Sequence, residues 1–309
     1  MKEIKKVAII GLGAIGSIYA VKLHAHDPKC LRVIADKERL EGYKKDGLLF
    51  NGKRYDFNYA LPDRNAEKAD LIIIATKSGG LESAIKAIEG FVGDDTVIMS
   101  PLNGITSEEI IARTYGWDKV LYTLFTGHIS TRQGRQVSHD GVGTLVFGEP
   151  DNTAISGKVA AVRAFFDKTG IDYKIPEDML FALWGKFMVN VGFNQASAVL
   201  LAPYRVFHGC DKVAAIACKL MEEVVALAEK AGIKKPDKML ESSMGVIRAM
   251  PSDAKSSMLQ DVEAKRQTEV DLFAGTVCAL GRKYGIPTPY NDMFLELISA
   301  IDQKNMMKD

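Results

Sequence analysis

Six residues near the start of the chain, Gly11-Leu12-Gly13-Ala14-Ile15-Gly16, restrict the fold more than any others. They follow the β-branched run Val7-Ala8-Ile9-Ile10 directly and open a segment with helical spacing, Ala14 to His26. In a strand–turn–helix of this kind each glycine has its own task. Gly11 makes the tight turn, Gly13 lets the backbone approach a pyrophosphate, and Gly16 lets the helix pack close to the strand. Leu12, Ala14 and Ile15 complete the loop, and the helix N-terminus presents N–H groups to the anion. Asp36 ends the second strand-like run 20 residues after Gly16, where an acidic side chain accepts from a ribose 2′-hydroxyl. An Asp there repels a 2′-phosphate and favours NAD(H). Lys37 and Arg39 follow at once and can reach such a phosphate, so the residues leave NAD(H) and NADP(H) both open.

Strand-like and helical segments alternate through the first half of the chain. Leu31–Ile34, Leu71–Ala75, Thr96–Met99 and Val120–Tyr122 read as strands, and Lys37–Lys45, Leu81–Phe91 and Glu108–Tyr115 as helices. Such alternation implies parallel strands joined by crossover helices, an α/β, Rossmann-type doubly wound sheet. Asn51-Gly52 between Leu48-Leu49-Phe50 and Lys53-Arg54-Tyr55 predicts a tight hairpin inserted into that pattern. Gly127 to Glu149 reads as further short strands, Gly157–Lys168 as one more helix and Ile171–Lys174 as one more strand. Beyond Ile175-Pro176 nearly everything has helical spacing: 177–201, 212–231, 238–250, 256–284 and 291–304. The expected organisation is a dinucleotide-binding domain over residues 1–175 and an all-α C-terminal domain over 176–309 for substrate and dimerisation.

Composition narrows the partners. Forty Lys+Arg stand against 39 Asp+Glu, a net charge of +1, so no basic excess points to nucleic acid or an anionic membrane surface. The apolar runs are strand-sized, and the N-terminal one is too short for a signal peptide. Cys30, Cys210, Cys218 and Cys278 have no metal-ligand spacing, so no metal is expected. They read as reduced, buried thiols of a cytoplasmic protein. His24, His26, His128, His139 and His208 pair with nothing at a telling spacing and read as surface or loop residues.

Two groups of residues carry candidate chemistry. The segment from Glu177 is apolar nearly all round, with Leu180, Leu183, Trp184, Phe187, Met188 and Val191, and should be buried. Lys186, Asn190 and Asn194 interrupt it at i, i+4 and i+8, one above another on a single face. A buried lysine and two amides need something polar to satisfy them, and a bound anion answers better than a structural network. Ser257 and Glu269 form the second group. In one straight helix they would stand about 18 Å apart at ~1.5 Å per residue, too far to share a small substrate. Thr268-Glu269-Val270-Asp271 reads as an N-cap with an acid at N3, which breaks the helix and brings Glu269 to a helix start. In the α/β half, Lys77 and Asn103 follow the C-terminal ends of strands, the edge where open α/β sheets bind ligands.

Taken together, these residues resemble the ketopantoate reductase (2-dehydropantoate 2-reductase) family over nearly the whole chain. The likeness lies in Gly11–Gly16, Ala75-Thr76-Lys77, Asn103-Gly104, Trp184-Gly185-Lys186 with Asn190 and Asn194, Ser256-Ser257-Met258, Gln260-Asp261, Thr268-Glu269 and Gly285-Ile286-Pro287-Thr288-Pro289. The resemblance implies NAD(P)H-dependent reduction of the C2 carbonyl of a small 2-oxo acid, ketopantoate, to pantoate, on the route to coenzyme A. It assigns proton donation to Lys186 and substrate binding to Asn190, Asn194 and Ser257. Asn103 lies between cofactor and substrate, Lys77 contacts cofactor, and Glu269 completes the site. Helical domains of this kind often pair, so a homodimer is the assembly to test.

Two residues depart from the family pattern. Asp36 stands where many members carry a basic residue suited to NADP, and Tyr204 follows Pro203 where many carry a third site asparagine. A reductase of another 2-oxo acid is therefore the alternative on the same fold. A non-catalytic nucleotide sensor is the alternative outside it, and its mark would be loss of Lys186 or Glu269.

Overall fold

The computed structural model describes residues 2–127, 130–139 and 143–307. The chain forms two compact units, Met1–Met179 and Leu180–Asp309. In the first, the strands are β1 (Val7–Ile10), β2 (Leu31–Ile34), β3 (Leu48–Phe50), β4 (Lys53–Tyr55), β5 (Tyr59–Ala60), β6 (Ala69–Ile74), β7 (Val92–Met99), β8 (Val120–Gly127), β9 (Ser130–Gln133), β10 (Gln136–His139), β11 (Gly143–Gly148) and β12 (Tyr173–Lys174). Its helices are α1 (Ala14–His26), α2 (Lys37–Asp46), α3 (Leu81–Ala87), α4 (Ser107–Tyr115) and α5 (Gly157–Thr169).

Eight strands make the main sheet, in the order β12-β11-β8-β7-β6-β1-β2-β5. β1 pairs in parallel with β2 on one side and with β6 on the other, so the strand order reverses at β1. The sheet is an α/β, doubly wound one, and β11 alone pairs antiparallel with β8. Alternation along each strand builds two cores. Val7, Ile9, Leu71 and Ile73 face one layer with Tyr19, Leu23, Val162 and Phe166, while Ala8, Ile10, Ile72 and Ile74 face the other with Leu81, Ile85 and Ile111. Strands covered on both faces read as unbroken apolar runs, which is why Leu71–Ile74 was legible as a strand.

The Asn-Gly hairpin is present, with φ of 48° at Asn51 and 77° at Gly52, the doubly left-handed turn that Asn-Gly favours. It does not stand alone. β3 pairs in parallel with β10, giving a second sheet in the order β4-β3-β10-β9. The Asn51 side chain extends that ladder, Nδ2 donating to His139 O at 2.7 Å and Oδ1 accepting from His139 N at 2.8 Å. His24 is no surface residue: its ring packs edge-on against Phe57 at 5.4 Å and Tyr55 at 6.0 Å, under this sheet. His128 lies outside the described residues.

The second unit is helical. A nearly continuous helix runs through α6 (Met179–Val189), a π-helical turn over Asn190–Asn194, and α7 (Gln195–Leu200). There follow α8 (Tyr204–Gly209), α9 (Asp211–Lys230), α10 (Pro236–Ala249), α11 (Ser257–Glu263), α12 (Ala274–Tyr284) and α13 (Pro289–Met306). α6 is buried as its composition requires, with Leu183, Trp184, Phe187 and Met188 at most 8% exposed. The segment 256–284 breaks, but not by the expected cap. α11 ends at a left-handed Lys265, where Arg266 N–H turns back to Asp261 O at 2.8 Å. Asp302 on α13 takes both the Thr268 N–H and, at 2.7 Å, its hydroxyl, so Glu269 rather than Thr268 stands at the N-terminal end of a single 3₁₀ turn, Val270–Leu272, before α12 opens at Ala274. Among the described residues no helix is long and apolar enough to cross a membrane.

Candidate active site

In the first unit the glycine loop has the geometry expected of it. Gly11 has φ of +97°, and a Cβ there would stand 2.5 Å from Ala75 O; one on Gly16 would stand 1.9 Å from Gly11 O. Neither position admits a side chain. Gly13 is different. A Cβ there would meet nothing closer than Ala75 O at 3.6 Å, so no atom of the described residues demands glycine at this place. What a side chain would block is the space before the α1 N-terminus, where no side chain caps the helix and its first turn carries no acid. Uncapped N–H groups with an open approach suit a dinucleotide pyrophosphate.

Asp36, Lys77 and Asn103 stand at the C-terminal ends of β2, β6 and β7, around the point where strand order reverses. Asp36 is exposed and caps α2, Oδ1 accepting from Arg39 N at 2.8 Å. The Arg39 side chain returns to the same carboxylate, Nε to Oδ2 at 3.4 Å. Lys77 is exposed and Asn103 half-buried. The loop bearing Asn103 is anchored by Glu108, 1% exposed, which accepts from Thr123 N at 3.1 Å and Ser107 Oγ at 2.9 Å. Thr76, read in the sequence only as part of a motif, and Ser100, not singled out at all, have buried hydroxyl oxygens at these same strand ends with no hydrogen-bond partner among the described residues. Single hydroxyls in loops carry no spacing signal that would have singled them out.

In the second unit Lys186, Asn190 and Asn194 lie on one helix, and the π turn keeps them aligned. Four α residues overshoot a full turn by about 40° at 3.6 residues per turn. Four residues of a turn that closes on the fifth fall short of one. From Lys186 to Asn190 the stripe drifts one way, and from Asn190 to Asn194 it drifts back. Asn190 and Asn194 are 7% and 6% exposed. Asn194 Nδ2 donates to Asn190 Oδ1 at 3.1 Å and reaches Ser257 Oγ, at the start of α11, at 3.5 Å. Ser257 is thus brought to the asparagine pair, and neighbouring bonds hold it there. Ser256 caps α11 and its Oγ donates to Ser197 Oγ on α7 at 3.1 Å. Asn190 Nδ2, by contrast, is buried with no acceptor among the described residues. An unmet buried donor costs about 1–3 kcal/mol, and a ligand oxygen would relieve it.

Glu269 is half-buried at the N-terminal end of the 3₁₀ turn Val270–Leu272 between α11 and α12, just past Thr268, and Lys186 is half-buried on α6. Tyr204 opens α8 half-buried, and burial raises its phenol above the ordinary value. Its backbone N–H donates to Ala254 O at 3.1 Å, in the loop that leads into Ser256-Ser257. Among the described residues no group of three His, Cys, Asp or Glu could hold a metal ion.

Comparison with known proteins decides the family. Residues 7–152 match the family Ketopantoate reductase PanE/ApbA, and residues 178–302 match Ketopantoate reductase PanE/ApbA C terminal. The chain belongs to the ketopantoate reductase family. That family is one of oxidoreductases. A 2-dehydropantoate 2-reductase of Archaeoglobus fulgidus is 26% identical over 302 residues, 97% of this chain and 99% of that protein. One from Streptococcus pyogenes is 25% identical over 95% of this chain and 97% of its own length. Among solved structures, D-mandelate dehydrogenase with NADH and anilino(oxo)acetate is similar at a TM-score of 0.83. It is 25% identical, with 98% of this chain and 100% of that one covered.

Proposed function

We propose that this ketopantoate reductase family member reduces the C2 carbonyl of a 2-oxo acid, ketopantoate in the first instance, at the expense of a reduced nicotinamide dinucleotide. The observation that carries the reading is the buried Asn190 amide, whose Nδ2 has no acceptor among the described residues, on one helix face with Lys186 and Asn194. When bound, the reduced nicotinamide supplies the hydride. Lys186, as an ammonium, donates a hydrogen bond to the carbonyl oxygen, stabilises the alkoxide as it develops and gives it a proton. Asn190, Asn194 and Ser257 orient the carboxylate and hydroxyl groups of the substrate, and Glu269 completes their site. On the first unit, Gly11, Leu12, Gly13, Ala14, Ile15 and Gly16 hold the pyrophosphate, Lys77 contacts the cofactor and Asn103 steadies the nicotinamide end.

NADH is the favoured cofactor in this reading. A 2′-phosphate would meet the Asp36 carboxylate, and Arg39, one of the two cations that follow it, is already engaged by Asp36. A second substrate reading has its own support. Tyr204 occupies the position of a family site asparagine, and D-mandelate dehydrogenase shares the fold, so another 2-oxo acid fits the same machinery.

The test follows nicotinamide absorbance with purified protein, NADH or NADPH, ketopantoate, and a panel of aliphatic and aryl 2-oxo acids. Oxidation with ketopantoate and faster turnover with NADH is the expected result. Turnover only with another 2-oxo acid moves the substrate to the second reading. Silence across the panel, in protein shown to bind either dinucleotide, overturns both.

A further inference from the structure

Gln195 follows the π turn immediately and is 0% exposed. Its backbone N–H turns to Gly192 O, one residue short of the α-helical partner. The carbonyl so passed over, Val191 O, is instead taken by the residue's own side chain, Nε2 donating at 2.8 Å. The same Nε2 reaches Asn291 Oδ1 on α13 at 3.2 Å. On its other side Gln195 Oε1 accepts from Ala274 N at 3.1 Å. Ala274 is the first residue of α12, which has no side-chain cap of its own, and Glu269 opens the 3₁₀ turn Val270–Leu272 just before it. One buried amide therefore holds two things at once: the turn that aligns Asn190 with Asn194, and the downstream end of the segment that carries Glu269.

The surroundings leave that amide one conformation. Asn291 is itself fixed, with Nδ2 donating to Leu220 O at 3.2 Å and to Glu223 Oε2 at 2.7 Å. The Glu223 carboxylate also accepts from the backbone N–H groups of Tyr290 and Asn291, at 2.8 and 3.0 Å, at the start of α13. With Asn291 Nδ2 committed to acceptors, its Oδ1 faces Gln195 Nε2 and the Gln195 amide cannot flip without opposing like groups. The upstream end of the Glu269 segment is held by Asp302, on the same helix α13, through Thr268. Glu269 is thus bracketed by two clamps, and only the Gln195 clamp reaches the asparagine pair.

We propose that Gln195 is a positioning residue that sets the Asn190–Asn194 turn and the Glu269 segment as one unit, so that substrate orientation and the Glu269 end of the site are coupled through a side chain that touches neither substrate nor cofactor. The proposal rests on the site reading given above. Gln195→Met keeps length and volume and removes all three hydrogen bonds. Gln195→Glu is the graded variant. Protonated, its carboxyl keeps one donor and one acceptor; ionised, it keeps no donor.

The experiment measures four things on each variant: affinity for reduced nicotinamide, the kinetics of 2-oxo acid reduction, their pH dependence, and amide hydrogen exchange. Nicotinamide affinity is expected to stay at the wild-type value, because the first unit carries that site. For Gln195→Met, kcat/KM falls about 10- to 100-fold, the scale of a reacting group misplaced by about an ångström. For Gln195→Glu, turnover relative to wild type rises as pH falls, a rescue that mere loosening of the core would not produce. Peptides spanning 264–274 exchange faster in both variants, although they lie far from residue 195 in sequence. A folded variant with unchanged exchange over 264–274, or with kcat/KM within twofold of wild type at the alkaline end of the pH range, where the glutamate is ionised, overturns the proposal. Should Gln195→Met not fold, Gln195→Glu alone decides by the same readings. Should wild type reduce no 2-oxo acid, the site reading fails separately, and the exchange arm alone upholds or overturns the coupling.

Discussion

Lys186 is the residue on which the proposed chemistry turns, and its replacement separates chemistry from binding. Lys186→Ala removes the proton donor and the charge that stabilises an alkoxide, while every dinucleotide contact assigned above lies in the other unit. A fall in kcat of about 10²- to 10⁴-fold is expected, the usual range for a general acid. Equilibrium titration of reduced nicotinamide by fluorescence should meanwhile give the wild-type Kd. Near-normal turnover would remove Lys186 from the role. The Lys–Asn stripe was legible because polar residues at fourfold spacing stand out in an otherwise apolar helix. Gln195 was not. Nothing in its immediate neighbours marks it, and its three partners lie at Val191, Ala274 and Asn291, the last two far along the chain.

At the scale of the element, the π turn is the feature that sequence periodicity cannot show, because the fourfold spacing of Lys186, Asn190 and Asn194 runs unbroken into it from the α-helix before it. Its packing does depend on one recognisable residue. A Cβ on Gly192 would stand 2.5 Å from Met221 Cγ and 3.0 Å from Ala217 O on α9. Replacing glycine by alanine within a helix gains up to ~1 kcal/mol of propensity. Overpacking a filled core costs about 1–3 kcal/mol, and here part of the obstacle is backbone. The clash wins. Gly192→Ala is therefore expected to lower the thermal midpoint by a few degrees, and to raise KM for the 2-oxo acid as the asparagine pair shifts. An unchanged midpoint in calorimetry would show that α9 yields at no cost. The broken helix after α11 teaches the same lesson. Its break was legible in Thr268-Glu269, but α11 already ends at a left-handed Lys265, and the partner that then holds Thr268, Asp302, is contributed by α13.

For the whole molecule, the cysteines divide by burial. The four were expected to be buried alike, yet Cys210 and Cys218 are partly exposed while Cys30 and Cys278 are buried. Burial is the main reason that the Cys30 thiol is pushed up to about 11 and the Cys278 thiol to about 12, from 9.0. For Cys278 the Asp292 carboxylate adds to the shift. Both thiols are thus protonated when folded at pH values where an unfolded chain would ionise them. The stability they contribute is intact below about 9 and is lost as pH rises through about 11 to about 12, the sign for a folded-state value raised above the unfolded one. Denaturant unfolding followed from pH 8 upward should show the midpoint falling over that window. Iodoacetamide at pH 8 should modify Cys210 and Cys218 before Cys30 and Cys278, read by peptide mass spectrometry; early loss of Cys278 would contradict its burial.

The residues by themselves determined the doubly wound sheet, the glycine loop, the Asn-Gly hairpin and the helical second half. Each of these is written in local quantities: the period of apolar residues, a turn's need for left-handed backbone, the room that only glycine leaves. The tertiary structure alone decided how the candidate site is assembled within the second unit. Ser257 meets Asn194 across 63 residues of chain. Glu269 is held between a carboxylate from α13 and an amide from the π turn, and Asn190 is left with a buried donor that no described residue satisfies. Hydrogen-bond satisfaction in a packed interior depends on which helices lie against one another, and no window of sequence contains that.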